Sequence, residues 1–240
     1  MAFYKAYSNL IWITFLAVSM AFVESAVVIY LRELYYPAGF DFPMVSMPPR
    51  IALTEILREI ATLIMLVAMG FLAGKNARQR FAWFIYSFAI WDLFYYLFLK
   101  LVLDWPSSWF TWDILFLVPI VWTGPVLAPV LVSLTMILLA FAILYNDQRP
   151  EEWVINRSVI FLIVLGSVLI FVSFIWDFSY FIIRHSSFST LLKTDSVSTG
   201  LHFYKPVSFN WFLLLAGEIS ILAGIILMFL QNRERTSYHA

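Results

Sequence analysis

Cysteine is absent from the 240-residue chain. That excludes disulfides, thiolate nucleophiles, zinc–thiolate sites and iron–sulfur clusters. Charge is scarce as well. Only 12% of the residues are Asp, Glu, Lys or Arg, against roughly 25% in soluble domains. The three histidines, His185, His202 and His239, fall in a loop or the tail. No buried haem held by two histidines can therefore be built in a span. There is no Gly-x-Ser-x-Gly elbow, no His-Glu-x-x-His pair and no Gly-rich phosphate cradle. No basic, aromatic-interleaved surface suggests a nucleic acid. Neither a cofactor nor a metal-ligand set is expected, and no motif assigns an enzymatic reaction.

What is present is hydrophobic residue, 62% of the chain. A membrane span needs about 20 consecutive apolar residues. Six such runs occur, at about 8–31, 52–73, 81–102, 123–145, 158–183 and 209–230. The expectation is an all-α polytopic bundle of six transmembrane helices, forming a single domain over 1–240. The first run is too long for a signal peptide, contains Glu24 and lacks a clean small-residue cleavage site, so it is read as retained.

Basic residues favour cytoplasmic loops. Lys5, Lys75, Arg78, Arg80, Arg149, Arg157, Arg233 and Arg235 fall on one side, eight against the five of Arg32, Arg50, Arg184, Lys193 and Lys205. Both termini are therefore expected in the cytoplasm. Three loops then face outward: the aromatic Arg32–Ile51, the tryptophan-rich Leu103–Trp122, and Arg184–Ser208 with its Ser/Thr-rich stretch Ser186–Thr199.

Pro119, Gly124, Pro125 and Pro129 interrupt the approach to the fourth span. Proline removes a helix donor and clashes with the preceding turn. Ile114–Val121 is too short to span. It reads either as a re-entrant or interfacial half-helix, which makes the fourth helix discontinuous, or as a kinked surface helix. Trp91-Asp92 with its following aromatics is echoed by Trp176-Asp177. An internal hairpin repeat and chance in a tryptophan-rich chain both account for that echo.

Charges inside the spans are the chief functional signal, because an ionisable group at membrane depth is costly. Glu24 lies in the first span. Glu55, Arg58, Glu59 and Thr62 form one stripe on the second. Asp92, Tyr95, Tyr96 and Lys100 share a broad face of the third. Asp177 and Glu218 lie in the fifth and sixth, and Ala216, Ser220 and Gly224 give the sixth a small-residue packing face. Six acids against Arg58 and Lys100 leave an excess of four, nearly all in the same, outer half of the expected topology. Some must then be neutral, or a cation or water must lie among them. Glu24, Glu55, Arg58, Glu59, Asp92, Tyr95, Tyr96, Lys100, Asp177 and Glu218 are the candidate pocket, for a ligand or for protons.

Residues 21–37 (AFVESAVVIYLRELYYP) and the stretch 90–132, with IWDLFYYLFLK, DWPSSWFTWDILFLVPIVW and GPVLAPVLVS, resemble a family of uncharacterised bacterial multi-pass inner-membrane proteins. The resemblance implies a bacterial inner-membrane setting and brings no activity, substrate or site residue.

Three functions stay open. The first is a small transporter or ion-conducting protein whose pocket takes a proton or small cation. The second is a structural subunit of a larger membrane complex, for example respiratory, with partner membrane subunits. The third is a membrane enzyme or lipid-binding protein at the outer leaflet, with Arg58 and Lys100 on a lipid phosphate. Membrane lipids are partners in all three.

Overall fold

A computed structural model describes residues 2–147, 155–185 and 203–238, and side-chain surroundings for 8–147, 155–184 and 203–231. Arg149, Lys193, His202, His239 and the Ser186–Thr199 stretch lie outside the described residues.

Among the described residues there are six helices long and apolar enough to cross a membrane. They are α1 (Ala2–Tyr35), α2 (Pro49–Ala73), α3 (Ala77–Leu103), α4 (Leu127–Asp147), α5 (Arg157–His185) and α6 (Trp211–Tyr238). The fold is an all-α polytopic membrane bundle, as the apolar runs predict.

Local chemistry sets the boundaries. Pro sits in the first turn of α2, where its missing donor costs nothing. The Asn76 side chain caps α3 by accepting the Gln79 backbone N–H. Between α2 and α3 the chain turns tightly. A Cβ on Gly74 would fall 2.3 Å from the Arg80 nitrogen, so only glycine fits.

Between α3 and α4 the structure departs from the expected half-helix. Trp112–Phe116 (β1) pairs antiparallel with Trp122–Pro125 (β2), Asp113 facing Gly124. Ile114–Val121 thus supplies most of β1 and the turn. Pro119, Gly124 and Pro125 oppose helix, while the Trp, Ile and Phe around them favour a pleated surface. α4 consequently starts at Leu127, four residues later than the apolar run at 123 suggests.

In the bundle, α3 packs against α1, α2 and α4, α4 against α6, and α6 along α5. Lipid tails are as apolar as the helices, so close packing and polar ties hold such a bundle. α5 and α6 meet at Gly166 and Gly217. A Cβ on either would come within 2.6 to 2.7 Å of the other's carbonyl oxygen. Ser220 adds a hydrogen bond to the Leu162 carbonyl at 2.8 Å. The close face of α6 is therefore Gly217, Ser220 and Gly224, with Ala216 to one side.

One end of the bundle carries the hairpin. At the other end, Asn9 bonds the Ala73 carbonyl, and Asn76, Arg78 and Gln79 bond Asp147. Gly124 backs onto Phe174 of α5 and Phe209, just before α6. Phe174 lies eleven residues before the end of α5, ~16 Å along its axis. α4 and α6 thus begin deeper than α5 ends, and the hairpin fills the difference.

Candidate functional site

Glu59 lies ten residues into α2, ~15 Å from the start of the helix. Its carboxylate reaches the turn after β1. Oε2 accepts the Leu117 N–H at 2.9 Å, and Oε1 accepts the Val118 N–H at 3.0 Å. Irregular backbone at membrane depth must find such partners, because lipid supplies none. Phe116 packs on Phe88 and Trp91 of α3, at 5.8 and 6.2 Å between ring centroids. Trp122 packs on Phe171 and Phe174 of α5, at 5.0 and 6.0 Å. Val121 joins Phe178, Ile182 and Tyr204 in a small core of its own. The hairpin is thus wedged between α2, α3 and α5.

Beside the wedge, Arg58 ties α2 to α1. Its Nη2 donates to Glu55 Oε2 at 2.7 Å, and its Nη1 donates to Glu24. Thr62 donates to the second oxygen of Glu24 at 3.1 Å. Two acids on one guanidinium leave a formal charge of minus one, with the Arg58 side chain 24% exposed.

Above the wedge sits an ion pair that the candidate set omitted. Arg32 Nη2 donates to Asp113 Oδ1 at 3.0 Å, and the Tyr96 hydroxyl donates to Oδ2 at 3.3 Å. The guanidinium lies 3.7 Å from the centroid of Trp105 and 4.5 Å from that of Phe40. Burial pushes the Asp113 carboxyl above the usual carboxylate range, although Arg32 pulls it back down. The signal was available: Asp113 is an acid within an apolar, aromatic run. Its arginine lies 81 residues away in sequence, so spacing alone does not find the pair.

Asp177 of α5 anchors the loop before α6. It accepts from the Tyr204 hydroxyl at 2.8 Å and from the Val207 and Ser208 N–H groups at 3.2 and 3.3 Å. Burial pushes the Tyr204 hydroxyl well above its ordinary range. It therefore remains a donor to Asp177, with Thr123 of β2 bonded to it at 2.9 Å.

The remaining two acids flank α4. Asp92 accepts from Ser133 at 2.8 Å, and Glu218 accepts from Thr135. The two hydroxyls are two residues apart, ~200° around the helix. α4 therefore carries one acid on its α3 side and the other on its α6 side. Glu218 is 7% exposed, and its Oε1 has no hydrogen-bond partner among the described residues. The indole N–H groups of Trp91 and Trp122 are likewise buried without one.

Of the ten candidates, the structure joins Glu24, Glu55 and Arg58 directly. It sets Glu59 one residue from Arg58 and fastens it to the hairpin. Tyr95 stacks on Trp91 and Tyr96 stacks on Trp105. Lys100 stands apart, with its amine 2.6 Å from Asp104 and half exposed. Arg58 and Lys100, the pair expected on a lipid phosphate, are each engaged by carboxylates of their own neighbourhood. The Trp-Asp echo is local: Trp91 is 5% exposed and Trp176 is 49% exposed. Among the described residues, no group of three or more His, Asp or Glu is placed to hold a metal ion. No protein-family model, curated protein or solved structure matches the chain.

Proposed function

We propose that this integral membrane protein is a small transporter or ion-conducting protein of the bacterial inner membrane. It moves a proton or another small cation, and the β1–β2 hairpin is its gate. One observation carries the reading: a carboxylate at mid-membrane depth, Glu59, holds the hairpin turn by two backbone N–H groups.

The strength of such a latch depends on its charge. An ionised carboxylate accepts with both oxygens, and these charge-assisted bonds are roughly twice as strong as neutral ones. A proton on Glu59 turns one oxygen into a donor, which the Leu117 and Val118 N–H groups repel. A cation arriving beside it competes for the same lone pairs. Either event frees the turn. In this reading, releasing the hairpin opens a route from the loops at its own end to the acids flanking α4. The glutamate pair on Arg58 supplies the negative field at the side of this route.

The test uses proteoliposomes with an interior pH dye, and hydrogen exchange at two amides. The native protein is expected to pass protons or Na+/K+ with a rate that depends on pH. In Glu59→Gln that dependence is expected to vanish, and the Leu117 and Val118 amides are expected to exchange at least tenfold faster. Native protein that passes none of these ions overturns the reading, and so does a Glu59→Gln protein with unchanged, pH-dependent flux. Co-purification with other membrane subunits at fixed stoichiometry, without flux, would move the assignment to a structural subunit.

A further inference from the structure

The six acids inside the spans are not equivalent. Glu24 and Glu55 share the Arg58 guanidinium. Glu59 holds two backbone N–H groups, and Asp177 holds two and a phenol. Each of these four has a counter-charge or several fixed donors. Among the described residues, Asp92 and Glu218 have one hydroxyl each and no counter-charge. We infer that Asp92 and Glu218, on opposite sides of α4, are the two carboxyls that bind the proton moved by this protein. The inference rests on the transport reading and gives that reading its binding sites.

Their surroundings support it. Between Leu127 and Ile143, α4 contains no titratable residue, and neither does α5 between Ser158 and Trp176. In α6 the only one from Trp211 to Gln231 is Glu218 itself. The titratable groups that act on Asp92 include Tyr96 on its own helix and Asp113 on β1, which is tied to Arg32 and to Tyr96. From α1 and α2 come the Glu24, Glu55 and Arg58 triad and the hairpin-bound Glu59. None of these cations is bonded to Asp92 or to Glu218.

The partner type is as informative as its number. A backbone N–H or a guanidinium can only donate, so it favours the ionised form of a carboxylate and is displaced when that carboxylate is protonated. A hydroxyl both donates and accepts. Ser133 and Thr135 can donate to an ionised acid or rotate to accept from a protonated one. Each pair therefore serves both charge states with little rearrangement. The partnerless Oε1 of Glu218 gives the proton a place without displacing Thr135. A metal ion would ask for more oxygens than one carboxylate and one hydroxyl, since Ca2+ takes about six to eight and Mg2+ about six. A proton asks for one.

Infrared spectroscopy of the full protein in lipid tests the assignment without any transport measurement. The carbonyl stretch of a protonated carboxylic acid stands apart from that of a carboxylate. The native protein is expected to show such a band, to lose it on raising pH, and to lose a separable part in Asp92→Asn and another in Glu218→Gln. Asp104→Asn, at the exposed end of α3, is expected to leave it unchanged. Where an amide variant fails to fold, Asp92→Glu or Glu218→Asp is expected to shift its component of the band. Folded variants that retain the whole band at its native position overturn the assignment. So does a native protein with no such band at any pH at which it stays folded. Because the band is read without flux, failure of the gate at Glu59 and failure of this pair are separate outcomes.

Discussion

Buried between Phe40 and Trp105, the Arg32 guanidinium is committed to Asp113. A buried pair is expensive to make and more expensive to break. Removing one partner strands a charge at a cost of about 3–5 kcal/mol, while replacing both by apolar residues of like volume is often neutral. Arg32 also has an Nη1 with no partner among the described residues, so losing Asp113 leaves it resting on two aromatic faces. Asp113→Leu is therefore expected to lower the thermal midpoint of the purified protein strongly. Adding Arg32→Met is expected to restore most of the loss. A double variant as unstable as the sum of the two singles would show that the pair does not act as a unit.

At the scale of elements, the α5–α6 contact depends on two glycines. Gly166 and Gly217 face each other so closely that any Cβ must push the helices apart. Gly224, two turns further along α6, would place a Cβ 3.3 Å from an Ile163 side chain that can yield. Gly166→Ala is expected to cost about 1–3 kcal/mol by overpacking. Gly224→Ala is expected to be near neutral, since alanine recovers up to ~1 kcal/mol of helix propensity. Equal effects in denaturation of the detergent-solubilised protein would count against the glycine contact. The six helices were legible because long apolar runs have only one structural meaning in a membrane. Ile114–Val121 was not, because a short apolar run lacks the length that separates helix from strand. Its prolines pointed to a break without saying that the break is a hairpin. The charged residues were legible one by one, while their partners were not. Glu59 is bonded by backbone 58 and 59 residues away, and Asp92 and Glu218 by hydroxyls 41 and 83 residues away. Nothing in local spacing selects Ser133 and Thr135 from the other hydroxyls of the chain. For the same reason, the small-residue pattern on α6 pointed to Ala216, when the neighbouring Gly217 makes the contact.

For the whole molecule, function turns on which side of the membrane the hairpin faces. The bundle has a hairpin end, with Arg32, Asp113 and Asp177 tied into its loops, and an opposite end where Asp147 gathers Asn76, Arg78 and Gln79. Lys75 in the short link between α2 and α3, with Arg78 and Arg80 in the first turn of α3, lies at that opposite end. On the reading proposed above, the bias of lysine and arginine toward the cytoplasm is expected to turn the hairpin outward. If the proposed gate faces outward in a bacterial inner membrane, it meets the more acidic side, where a carboxylate latch is most readily protonated. An inward gate would instead answer to cytoplasmic pH, and the same latch would work as a release valve. The native chain has no cysteine, so single cysteines report without background. Val207 is 85% exposed before α6, and Lys75 is exposed in the α2–α3 link. In intact spheroplasts, Val207→Cys is expected to react with a membrane-impermeant maleimide. Lys75→Cys is expected to react only after permeabilisation. The reverse pattern would invert the molecule, and the proton route argued from Glu59 to Asp92 and Glu218 would then have to start from the cytoplasm.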